Sequence, residues 1–148
     1  MNGSYYKTKN ADFETYKISN RLNLSGNLTQ VFQYVIRRND KHKSPAEDIA
    51  KAIEFVRFEV ERIFTAEKFF YAQIEKNIDE YLKFLKDEDR HAYDVLCVIL
   101  RVIETCHTKP QECNCGRNNV SDKCKVKIQI GLSELQNLLQ KELRRVQD

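Results

Sequence analysis

The sequence predicts an all-α fold: an irregular bundle of five or six helices, with room for one short strand near 124–130 and with a loop stapled by zinc. Three observations carry that expectation. Apolar residues recur at spacings of three and four over long stretches, the period of one helix face. Two capping signatures, Ser44-Pro45-Ala46-Glu47 and Ser133 with Gln136, mark helix starts. Only four Gly and two Pro occur in 148 residues, and none lies between Ala46 and Asp89, so that region offers few places to break a helix. The length suits one domain, which buries roughly two thirds of the surface of its unfolded chain.

The elements follow in order. Residues 1–27 read as a loosely structured arm with a short helix, in which Phe13, Tyr16 and Leu22 share a face; 28–148 reads as one helical domain. Asn23-Leu24-Ser25-Gly26-Asn27 is a break with turn chemistry. Leu28, Val31, Phe32, Val35 and Ile36 then form a helical stripe that ends among cations, where the negative end of the helix dipole favours them.

From Ser44 the stripe runs through Ile49, Ile53, Val56, Val60, Ile63, Phe70, Ile74, Ile78, Tyr81 and Leu85, with Glu67 interrupting it. Either one helix of about 40 residues spans it, or Thr65 caps a second helix. Globular helices seldom run so long, so two helices or one kinked helix are expected. Asp87-Glu88-Asp89 places acid at the start of the next helix, whose face is Tyr93, Leu96, Cys97, Leu100 and Ile103. The β-branched run from Val95 to Ile103 competes as a buried strand, but its length and acidic cap favour a helix. Cys97, inside that run, is expected in the core. Residues 105–124 form a Cys-rich loop. After it, Cys124 to Ile130 alternates as a strand does, while Ile128, Leu132, Leu135, Leu139, Leu143 and Val146 continue a helical stripe.

Four of the five cysteines fall between 106 and 124: Cys106, Cys113, Cys115 and Cys124, with His107 beside the first. Zinc takes four soft or borderline ligands in a tetrahedron, and a Gly- and Asn-containing loop can wrap around it. Cys113, Cys115 and Cys124 are the expected thiolates, with Cys106 or His107 completing the set. Glu112 is an ordinary solvated neighbour, so the site reads as closed and structural. Disulfides and plain thiols are the competing readings, and the odd cysteine count weighs against a disulfide framework. The pattern His107-x₅-Cys113-x-Cys115-x₈-Cys124 resembles the zinc thumb of cyclic GMP-AMP synthases, with different cysteine spacings, and the resemblance implies the metal alone.

Charge is segregated. Residues 1–43 carry eight Lys/Arg against three Asp/Glu, 44–100 carry eight against thirteen, and 101–148 carry nine against six. Basic ends packing on an acidic middle account for this; so does a nucleic-acid surface built from Arg37, Arg38, Lys41 and Lys43 with Lys125, Lys127, Arg144 and Arg145. Arg37-Arg38-Asn39-Asp40-Lys41-His42 resembles the R-x₄-H motif of HEPN ribonucleases, which implies that Arg37 and His42 would activate a ribose hydroxyl and stabilise phosphate charge. Sequons begin at Asn2, Asn23, Asn27 and Asn119, as in a secreted, disulfide-bonded helical cytokine. The N-terminal residues lack the apolar stretch of a signal peptide, which argues for the cytoplasm or nucleus. No apolar run reaches the ~20 residues of a membrane span.

The expectation is therefore a non-enzymatic intracellular interaction module with one structural zinc. Phe55, Phe58, Phe64, Phe69 and Tyr71 lie off the main stripe of 44–88 and widen its apolar face, which suits a protein partner or a homodimer.

Overall fold

The computed structural model describes residues 15–22, 24–39, 44–66, 69, 71, 78–105 and 120–147. Six helices occur among them: α1 (Thr15–Leu22), α2 (Gly26–Arg37), α3 (Pro45–Thr65), α4 (Asp79–Glu88), α5 (Arg90–Ile103) and α6 (Asp122–Gln147). The most extensive packing joins α2 to α3, α3 to α6, and α5 to α6; α4 lies on α5 and α1 on α2.

Local chemistry explains most boundaries. Ser25 accepts the Leu28 N–H at 3.3 Å and starts α2 directly after the Asn/Gly break. Ser44 accepts the Glu47 N–H at 3.3 Å, with Pro45 as the first helical residue. Asp89 accepts the Ala92 N–H at 3.1 Å, so the acid expected before α5 is its cap. One residue separates α4 from α5 there, and the corner is tight.

The core is continuous. Ile18 and Leu22 of α1 are fully buried together with Leu28, Phe32, Ile49, Val56, Tyr81, Leu96, Ile99, Leu132 and Leu139. Burying each such aliphatic side chain contributes roughly 1.5–3 kcal/mol. Ile18 and Leu22 thus set one face of α1 into the bundle, while Asn20 on the same helix is exposed. Phe32 meets Tyr81 edge to face, with centroids 6.2 Å apart, which ties α2 to α4.

Three local expectations are corrected. The stripe of 44–88 includes two separate helices, α3 and α4, but Thr65 is the last residue of α3, its hydroxyl donating back to the Glu61 carbonyl at 2.8 Å, rather than the cap of a following helix. Residues 124–130 are helical, and no strand occurs among the described residues. Ser133 with Gln136 does not begin a helix either, because α6 runs through them from a cap at Ser121, whose hydroxyl accepts the Cys124 N–H at 3.3 Å. A strand at 124–130 needs a neighbouring strand; the surfaces it meets are α3 and α5, both helices, and they accept a stripe at positions 124, 128, 132, 135 and 139. At Gly131 α6 and α5 come close: a Cβ there would lie 2.7 Å from Val102 Cγ2.

Candidate functional site

Two buried polar centres organise the molecule. The first gathers the ends of α2 and α6 and the α4–α5 corner. Arg38, the C-cap of α2, is only 8% exposed. Its Nη1 and Nη2 donate to Asp89 Oδ2 and Oδ1 at 2.8 and 2.7 Å, a bidentate pair, and its Nε donates to Glu142 Oε2 at 2.7 Å. Nη1 also reaches the Val35 carbonyl at 2.7 Å. Asn39 donates to Asp89 at 2.8 Å, and Arg145 caps Glu142 through two 2.7 Å contacts.

Burial pushes the Asp89 carboxyl up, but the hydrogen bonds and charge of Arg38, with Asn39 and the Ala92 N–H, outweigh it and hold the group well below the usual carboxylate range. Glu142 is likewise lowered, to about 2: Arg145 and Arg38 overcome its desolvation. His91, one residue into α5, is lowered by its own desolvation and then by the charge of Arg38, and its Nε2 is buried with no hydrogen-bond partner among the described residues.

The second centre is Glu59 on α3, at 0% exposure. Its Oε2 accepts from Ser25 Oγ at 3.0 Å, Tyr71 Oη at 2.6 Å and Arg62 Nη2 at 3.0 Å. Its Oε1 accepts from Asn27 Nδ2 at 3.1 Å and Arg62 Nε at 2.8 Å. Desolvation opposes its charge, yet the Arg62, Tyr71 and Asn27 hydrogen bonds keep it below its ordinary value. Tyr71 is pushed far above the usual phenol range, first by burial and then by the Glu59 charge, so it stays a donor. The Arg62 guanidinium lies 4.6 Å from the Phe69 ring centroid. Val120 N–H donates to the Phe69 carbonyl at 2.6 Å, so the C-terminal part of the segment read as the Cys-rich loop is fastened to this centre.

The carboxylates of both centres are saturated with internal partners, the arrangement of a structural clamp. An open groove of about 360 Å³ lies between α4 and α5, lined by Asp79, Glu80, Leu82, Lys83, Lys86 and Tyr93. Lys86 and Arg90 sit over the Tyr93 ring.

Of the expected metal ligands, Cys124 is buried in the first turn of α6, while Cys106, His107, Cys113 and Cys115 lie outside the described residues. Among the described residues no group of three or more His, Cys, Asp or Glu could hold a metal ion. Of the expected basic surface, Arg38 is instead a buried ion-pair partner, because two carboxylates converge on it from α5 and α6. Arg145 is exposed but paired with Glu142. Arg37 is half-buried over the Tyr34 ring at 5.0 Å. Arg144 and Lys127 are exposed and Lys125 is half-buried; Lys41, Lys43 and His42 lie outside the described residues. Along α6, Lys127 and Arg144 stand about 26 Å apart at 1.5 Å per residue, so the basic set divides between two ends.

The widened face of 44–88 also divides. Phe69 and Tyr71 belong to the core. Phe55 is half-buried between Tyr34 and Phe58, whose centroids are 5.9 and 5.4 Å away. Phe58 and Phe64 remain exposed. The sequon Asn27 donates its amide to Glu59; Asn2, Asn23 and Asn119 lie outside the described residues. Cys97 is half-buried, and it and Cys124 are free thiols. Among the described residues no helix is long and apolar enough to cross a membrane.

Reading the stripes alone misses both centres, although a signal exists. Glu59 lies three after Val56 and four before Ile63, and Glu142 three after Leu139, so each carboxylate falls on an inward stripe. A charge on the buried face demands a partner. In comparison with known proteins, no family model, curated protein or solved structure matches the chain.

Proposed function

We propose that this chain is a non-enzymatic helical interaction module with one structural zinc, acting in the cytoplasm or nucleus. One observation carries the reading: the carboxylates held far from their ordinary pKa are saturated by internal ion pairs, while large apolar side chains stay on the outer faces of α3 and α6. Rigid buried clamps with unspent apolar surface suit docking. Phe58 and Phe64, with Phe55 behind the first, are what remains of the 44–88 face for a protein partner or a second copy.

The zinc would be held by Cys113, Cys115 and Cys124 with Cys106 or His107. Cys124 supports this by its place: its element, α6, packs against α5, and the two helices bracket the Cys-rich segment. A metal there would fasten the end of one helix to the start of the other, a closed role that four thiolates and an imidazole can fill. The free thiols Cys97 and Cys124 fit a reducing compartment.

Native mass measurement of reduced protein, with and without chelator, tests the reading. About one zinc per chain is expected. Cobalt substitution should give a tetrahedral, thiolate-rich spectrum, and Cys113→Ser and Cys115→Ser should lower the melting temperature as chelator does. A metal-free chain with two disulfides would overturn both the zinc and the location. A five-coordinate spectrum that responds to small anions would indicate an open site and overturn the structural role.

A further inference from the structure

The inward stripe of α6 is complete with Cys124, Ile128, Leu132, Leu135 and Leu139. Val126 and Ile130 nevertheless add a second apolar pair, 50% and 66% exposed, more than any other large apolar side chain described. They are one turn apart, so their side chains adjoin on a single outer face. Both are β-branched, which weakens rather than favours a helix, and at these positions neither fills the core. The fold by itself gives this pair nothing to do.

The rim of the pair is cationic. Lys123 and Lys127 each precede one of the two by three positions and are exposed; among the described residues neither is paired with a carboxylate. The acid that follows the pair, Glu134, is already bound by Arg101 Nη2 at 3.1 Å. Asp122, before the pair, stands in the first helical turn, where the positive end of the helix dipole suits it.

We infer that this stripe of α6 docks an acidic amphipathic helix of a protein partner. Two adjacent apolar side chains of that helix pack on Val126 and Ile130, and carboxylates one turn away reach Lys123 and Lys127. The inference rests on the interaction-module reading but uses a surface separate from the 44–88 face. A second copy of α6 is the wrong occupant, since antiparallel pairing of Val126 on the other copy's Ile130 sets Lys127 against Lys127 and leaves Lys123 only Glu134, which Arg101 already holds. A membrane surface requires a broad apolar helix face, and the broad face of α6 is inside the bundle. Nucleic acid gains nothing from an aliphatic pair, which provides no stacking platform.

The test pans a displayed library of helical peptides against the full chain and measures the selected peptides by fluorescence anisotropy. Selected sequences should carry Asp or Glu one turn from two adjacent apolar residues. Val126→Asp with Ile130→Asp should weaken them about tenfold or more, with an unchanged melting curve because both sites are exposed. Lys123→Glu with Lys127→Glu should do the same, and should recover binding when the peptide acids become lysines. Peptides without acidic bias, or indifferent to the α6 changes, overturn the inference. If binding is lost only with Phe58→Asp, the partner sits on α3, and the interaction reading survives without this one; if nothing binds, both fall. Tighter binding to phosphatidylserine vesicles or to oligo(dT), abolished by the α6 changes, also overturns it.

Discussion

The two buried centres differ in what they hold and in what satisfies their carboxylates. The Arg38 junction joins residues 51 and 104 positions apart, clamping three helix ends with two carboxylates and two guanidinium groups. The Glu59 centre holds one carboxylate among five donor contacts, three of them from neutral side chains, and fastens the start of α2, at Ser25 and Asn27, and the non-helical Tyr71 to α3. A charge satisfied by charges couples whole helices, and removing one member strands the others. A charge satisfied mainly by hydroxyls and an amide seats one helix start and one loop residue, and leaves no opposite charge stranded between helices when it is lost.

The largest expected effect is at Arg38. Arg38→Met leaves Asp89 and Glu142 facing each other without their shared cation, and unfolding in urea should show a loss of about 3–5 kcal/mol. A loss below about 1 kcal/mol would mean that the junction is ornamental and that the comparison is wrong. Glu59→Gln comes next, at about 2 kcal/mol, because the amide keeps part of the acceptor set and half-buried Arg62 can be solvated. Equal losses for the two variants would erase the distinction between the centres.

Acid sharpens it. Asp89, Glu142 and Glu59 are lowered in the folded state, so their stabilisation is complete above the unfolded carboxylate values near 4 and is lost as pH falls through the lower folded values. His91 is also lowered, so the folded chain favours its neutral form; stability begins to fall as pH drops below its unfolded value near 6.5. Only the Arg38 junction has this second titration. A melting-temperature profile should therefore show a shoulder that begins below about pH 6.5, ahead of the main acid loss. His91→Gln should remove the shoulder alone, and a shoulder that persists assigns it elsewhere. The smallest effect is far from both centres: Ser44→Ala deletes the α3 cap and should cost about 1 kcal/mol at every pH, an internal standard for the other three.

The residues proposed to hold zinc could be named from the sequence, since Cys and His at close spacing in a short segment suggest that chemistry without a fold. The Arg38 junction was not legible. In sequence Arg38 stands in the cationic run Arg37-Arg38-Asn39-Asp40-Lys41, which reads as a solvated helix end. Its burial follows only from the arrival of Asp89 and Glu142.

The sequence by itself determined where α2, α3 and α5 begin and which of their residues face inward. Ser25, Ser44 and Asp89 each act on the backbone N–H three residues on, and spacings of three and four align side chains within a single helix. These are short-range effects, complete within one turn of chain. The tertiary structure alone decided the rest. It resolved 124–130 as helix, because α3 and α5 offer a stripe no ladder to join. It also turned Arg38 inward, because an ion pair across 104 residues depends on how helix ends meet, and no local pattern encodes that distance.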